Sequence, residues 1–142
     1  NELKLKRCLA HSRMLSSDVN AAFDPLYSDV FKNNSSSFLG SGVVFNKFTG
    51  SRGKSGSNDA NAEYLAVLRN IMDNHNVHFQ MSELGKVDAG GGGTIAYIMS
   101  LYGMEVIDCG VAVLNMHAPW EVTSKADIYE TYKCYKAFLK NA

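Results

Sequence analysis

Apolar residues recur along this chain with two different periods. Tyr64, Leu65, Leu68, Ile71 and Met72 fall at helical spacing, which predicts a helix from Asp59 to about Asn74, capped by Asn58 and with Asp59 set against the helix dipole. Ile128, Tyr129, Tyr132, Tyr135 and Phe138 fall on one broad face, which predicts a packed terminal helix over 124–139. Shorter runs rich in β-branched, aromatic or alternating residues predict strands at 14–19, 43–48, 78–84 and 104–114. A further helix over 94–102 follows the glycine run and closes at Gly103, and residues 1–7 read as the last turns of another. Strands alternating with helices predict an α/β layered fold around a largely parallel sheet. Asp24-Pro25 and the polar residues 32–37 are loop signals, and 33–37 is the one candidate hinge.

Composition narrows the function classes. A chain of 142 residues with 46% hydrophobic residues suits one domain with one core. Fourteen basic and fourteen acidic side chains cancel, which removes the electrostatic footprint of a nucleic-acid binder. The longest apolar stretch is interrupted by Asp108 and falls far short of the ~20 residues that cross a bilayer, so no membrane span is expected. Cys8, Cys109 and Cys134 are widely spaced and form no CxxC, which argues for a reducing cytosol and against a disulfide framework or a cysteine zinc site. The chain starts without Met or a signal-type apolar run, and is expected to begin inside something larger.

Four features carry candidate chemistry. The segment TGSRGKSGSN contains GKS, but a phosphate loop needs glycine five residues before Gly53, where Phe48 stands. What remains are two cations, Arg52 and Lys54, before a helix: either an anion-holding loop or a solvated one. The run Gly90 to Gly93 fails the dinucleotide fingerprint at Ile95, leaving a close approach by a ligand or a tight turn. His117 ends the apolar run 110–114, as a metal ligand or as a hydrogen-bonded structural histidine. Asp18, at the end of another strand, is a ligand or a turn residue. Ligands in such folds bind beyond the carboxyl ends of strands, where both residues fall. His11, His75 and His78 lack partners at metal-binding spacing, and HExxH and GxSxG are absent.

Taken together, MLSSDVNAAFDPLY, TGSRGKSGSNDANAE, ELGKVDAGGGGTIAYIMSLYGMEVIDCG and VLNMHAPWEVTSKADIYETYKCYKAF, in this order, resemble the C-terminal part of the aspartyl-aminopeptidase family of dinuclear zinc metallopeptidases. The resemblance covers essentially the whole chain. It implies a three-layer sandwich in which a mixed, largely parallel sheet is flanked by helices, with residues 1–142 as the C-terminal portion of the catalytic domain. It also implies two zinc ions, or other divalent metals, with Asp18 and His117 each binding a different one. Gly91, Gly92, Gly93 and Met116 would line the site, and Arg52 or Lys54 would attract the carboxylate of an acidic N-terminal residue. The family's remaining ligands, its general-base Glu and its dimerisation insert have no counterpart here, so no catalytic residue is assigned and the chain alone is not expected to be active. Ala21 and Asp24 stand where the family often has histidines. The implied protein is a cytoplasmic aminopeptidase acting on peptides as a homo-oligomer, a dodecamer by resemblance. Its rivals are a non-catalytic scaffold or assembly subunit of the same fold, and an anion-binding module.

Overall fold

The structure, a computed structural model, describes residues 1–50, 56–86, 89 and 92–142. The elements run α1 (Glu2–Ala10), β1 (Arg13–Ser17), β2 (Asn20–Ala21), short 3-10 segments at Pro25–Val30 and Asn33–Ser35, β3 (Val43–Thr49), β4 (Asn58–Asp59), α2 (Ala62–Asn74), β5 (Phe79–Glu83), α3 (Ala96–Ser100), β6 (Glu105–Gly110), β7 (Ala112–Leu114), β8 (Val122–Thr123) and α4 (Lys125–Asn141).

The main sheet is mixed. Strand β6 lies between β1, to which it is parallel, and β3, to which it is antiparallel; β3 also pairs with parallel β5 and antiparallel β4. A second, small sheet pairs β2 parallel to β7 and β7 antiparallel to β8. The 104–114 stretch expected as one strand is therefore two, separated at Val111 where the chain leaves the main sheet for the small one.

Helices cover both faces of the main sheet. On one face Val43, Phe45, Ile107 and Cys109 pack against Tyr64, Leu68, Ile71 and Met72 of α2 and against Cys134 and Ala137 of α4. Strand alternation sends Asp108 to the other face, where it meets Thr94 just ahead of α3. Cys109 and Cys134 are buried with their sulfurs 3.8 Å apart, and all three cysteines are free thiols. No helix is long and apolar enough among the described residues to cross a membrane.

The apolar face of α2 is where its periodicity puts it, but the cap is Asn61, whose side chain accepts the Tyr64 N–H at 2.7 Å. Asn58 and Asp59 are drawn instead into β4 by pairing with Thr49 and Phe48. The helix before Gly103 is shorter than 94–102 and is capped by Leu101 rather than by Gly103; Gly103, with a φ of +79° that other residues resist, ends the turn that follows, its N–H donating to Ser100 O at 2.9 Å.

The face of α4 differs from the expected one. Asp127, Thr131, Cys134 and Ala137 are buried, Tyr135 and Phe138 partly so, and Ile128, Tyr129 and Tyr132 are at least half exposed. The buried residues are small or hydrogen-bonded, which lets the helix approach the sheet closely. The two outer tyrosines carry the Lys133 and Lys136 ammonium groups over their rings at 5.8 and 5.9 Å. The 33–37 segment is also not a free hinge: Ser36 and Ser37 are buried, and Ser37 O accepts the Phe23 N–H at 2.7 Å.

Asp127 ties α4 to the approach of β3. Its two carboxylate oxygens accept the Gly40 N–H at 2.8 Å and the Gly42 N–H at 2.9 Å, and the side chain is 1% exposed. Asp127→Ala strands two amide donors and is expected to cost about 3 kcal/mol, read as a lower denaturant midpoint. Asp127→Asn keeps one acceptor and is expected to lose less.

Candidate functional site

Strands β1 and β6 leave the main sheet side by side. Partners in β1 and β6 lie 92 residues apart (Arg13 with Glu105), and so do partners in β2 and β7 (Asn20 with Ala112). The same offset sets Asp18 beside Gly110 at the bend between the two sheets. Hydrogen bonds carry the pairing through that bend: Asp18 N–H to Cys109 O at 3.3 Å, Asn20 N–H to Val111 O at 2.8 Å and Ala22 N–H to Val113 O at 2.8 Å. At the bend the two backbones all but touch. A Cβ built on Gly110 would stand 1.7 Å from the Asp18 carbonyl oxygen, so only glycine fits.

Tyr135 braces the same place from α4. Its hydroxyl donates to Cys109 O at 2.9 Å and lies 2.7 Å from the Ser17 hydroxyl. Burial pushes its phenol pKa up to about 12, so it remains a donor at neutral pH.

Beyond β7 the chain turns sharply. Asn115 and His117 both have positive φ, +57° and +68°, and the turn is closed by Ala118 N–H donating to Asn115 O at 2.9 Å. Single left-handed non-glycine residues cost of order 1–3 kcal/mol and cluster at functional sites. The His117 N–H donates to Glu121 Oε1 at 2.7 Å.

Asp18 and His117 line one cavity of about 350 Å³. Val19 and Met116 add apolar lining, and Gly92, Gly93 and Thr94 line the same cavity. Neither glycine has positive φ, and among the described residues a Cβ on either would meet no atom nearer than 3.8 Å. Packing against the described residues therefore does not demand these glycines, whose missing side chains leave room in the cavity. An adjoining cavity of about 250 Å³ shares Ala21 and Met116 and is walled by Tyr27, Phe31 and Leu114.

Thr94 is fixed from beneath. Asp108, 1% exposed, accepts the hydroxyls of Thr49 at 2.9 Å and Thr94 at 3.0 Å on Oδ2. Burial raises the pKa of its carboxyl, against the pull of the Thr49, Thr94 and Ser16 hydroxyls.

Of the residues singled out in the sequence, Asp18, His117, Gly92, Gly93 and Met116 thus share one cavity, while Arg52, Lys54 and Gly91 lie outside the described residues. His11 and His75 bond instead through Nδ1 to the helix carbonyls of Arg7 and Ile71. Thr94, Asp108 and Glu121 were not anticipated. Their signals were a charged residue inside an apolar strand for Asp108, and a carboxylate four residues after His117 for Glu121.

A metal site of three or more His, Cys, Asp or Glu side chains is absent among the described residues. An aspartate and a histidine lining the same cavity carry donors of the type zinc takes, two of the three or four protein ligands it needs.

Residues 1–139 match the family described as Aminopeptidase I zinc metalloprotease (M18). The chain is 66% identical over 141 residues to the "Probable M18 family aminopeptidase 1" of Clostridium acetobutylicum, covering 99% of this chain and 30% of that protein. It is 44% identical over 140 residues to the protein of the same name from Thermotoga maritima, covering 99% and 31%. The crystal structure of aminopeptidase I from Clostridium acetobutylicum superposes with a TM-score of 0.89 at 66% identity over 96% of this chain and 30% of that one. That of the Thermotoga maritima M18 aminopeptidase gives 0.93 at 44% identity over 99% and 31%. The Saccharomyces cerevisiae mApe1 dodecamer, 24% identical with a TM-score of 0.75 over 96% and 28%, shares the fold. The chain spans about 30% of the length of the curated relatives it matches.

Proposed function

Because the chain belongs to the M18 family of aminopeptidase I zinc metalloproteases, we propose that it supplies one wall of the active site of a zinc-dependent aminopeptidase that releases N-terminal residues from peptides. One observation carries this reading: Asp18 and His117, 99 residues apart in the chain (117 less 18), face a single cavity that also has a bare glycine wall. Asp18 would hold one zinc through its carboxylate, and His117 a second through a neutral imidazole nitrogen, the remaining ligands and the general base coming from outside the described residues. When bound, such a pair polarises the scissile carbonyl and lowers the pKa of an attacking water.

The residues of this chain bind and orient. Asp18 places negative charge where a free N-terminal ammonium would sit, which fits removal of one residue at a time. Gly92 and Gly93 let an extended peptide backbone lie close to the wall, and Met116 and Val19 keep the other side apolar. An acidic N-terminal side chain would need a cation, for which Arg52 and Lys54 are this chain's candidates. Cytoplasmic location accords with three free thiols. Homo-oligomeric assembly, as a dodecamer, is part of the same reading.

The test is hydrolysis of aminoacyl p-nitroanilides by the intact protein. Unblocked substrates are expected to be cleaved and N-acetylated ones spared, with chelation abolishing the rate and zinc restoring it. Absence of both zinc and hydrolysis would establish the scaffold reading instead. A panel of Asp, Glu and Leu derivatives reads the N-terminal preference.

A further inference from the structure

We propose that Glu121 is the positioning residue for His117: by accepting its backbone N–H, Glu121 fixes the left-handed turn that presents the imidazole to the Asp18 cavity. This rests on the reading of His117 as a metal ligand.

The hydrogen bond, 2.7 Å long, joins a carboxylate to the amide of the one residue whose conformation most needs support. Asn115 tolerates positive φ comparatively well through its short polar side chain, and histidine gains less from that route. The turn has a single backbone hydrogen bond of its own, from Ala118 to Asn115, and it leaves the His117 N–H pointing elsewhere. A charged acceptor strengthens the bond that catches it.

Glu121 is well mounted for this. It immediately precedes β8, whose Val122 and Thr123 pair with Leu114 and Val113 of β7, so both ends of the loop 115–121 are anchored in one sheet. Thr123 adds a side-chain bond to Ala112 O at 2.7 Å. The carboxylate thus reaches across the mouth of the loop from a fixed base, although the side chain itself lies at the surface. Groups outside the ligand set that orient a ligand typically affect metal affinity by about 10- to 100-fold.

The experiment compares Glu121→Ala, Glu121→Gln and His117→Ala in the intact protein. Zinc affinity is measured by competition with a chromogenic chelator, His117 amide exchange on the zinc-free protein, and folding by thermal unfolding. Glu121→Ala is expected to weaken zinc binding about 10- to 100-fold and to speed His117 amide exchange, with unfolding close to the unsubstituted protein. Glu121→Gln, which keeps an acceptor oxygen, is expected to stay within about threefold. Unchanged affinity and exchange in Glu121→Ala would overturn the proposal. So would a Gln variant as impaired as the Ala variant, which would assign the effect to charge or direct ligation. Zinc lost by His117→Ala but kept by Glu121→Ala overturns the positioning role alone, whereas zinc kept by His117→Ala overturns the functional reading and the proposal with it.

Discussion

Gly110→Ala is expected to destabilise the protein by about 4 kcal/mol, at the severe end for a single added methyl group. The new Cβ would lie 1.7 Å from the Asp18 carbonyl oxygen and 2.7 Å from its carbonyl carbon. Those atoms belong to backbone held by the flanking bonds Asp18 N–H to Cys109 O and Asn20 N–H to Val111 O, so no side-chain rotation relieves the clash. Two strands must separate at the place where both change sheets, and Asp18 moves with them. Denaturant unfolding reads the loss of stability, and the zinc content of the intact protein reads the displacement of Asp18. Gly93→Ala, where the nearest atom among the described residues is Gly56 O at 3.8 Å, is the matched control and is expected to leave stability nearly unchanged.

On the aminopeptidase reading proposed above, Asp18→Ala and His117→Ala are each expected to lower kcat/KM of the intact protein by about a thousandfold or more, the equivalent of about 4 kcal/mol of transition-state stabilisation. Each should also reduce the zinc bound per chain, read by elemental analysis. Stability is expected to change far less than in Gly110→Ala. Asp18 makes one local bond, from the Val19 N–H at 2.8 Å, and the His117 side chain lies at the surface of an exposed turn. Activity lost with the fold intact would separate these positions from structural ones; full activity in both variants would remove the metallopeptidase reading.

The elements legible in the sequence were those whose buried face shows as a plain alternation of apolar and polar positions. Helix α2 shows its buried face as plain periodicity because that face is wholly apolar. Its cap was misplaced: Asn58 was the expected one, but pairing with β3 draws Asn58 into β4, and Asn61 caps the helix instead. The face of α4 was misplaced because Asp127 and Thr131 are polar yet buried, held by hydrogen bonds to Gly40, Gly42 and the helix's own backbone, which hydropathy does not register. The break at Val111 matches one 92 residues earlier, between β1 and β2, which no local pattern in 104–114 reveals. Asp18 and His117 were open alternatives on spacing alone, and the resemblance singled them out. That Glu121 supports His117 depends on a left-handed turn that no residue pattern there announces.

The fixed 92-residue offset has a consequence for how this region can change. A single residue inserted between Ser17 and Asn20 would carry every following position of its strand to the opposite side of the small sheet, while β7 stayed where it is. Only a matching insertion between Cys109 and Ala112 would restore the alignment. Changes of length at the crossing are admissible as coordinated pairs, one in each strand, and the two segments behave as one unit of design although nearly two-thirds of the chain lies between them.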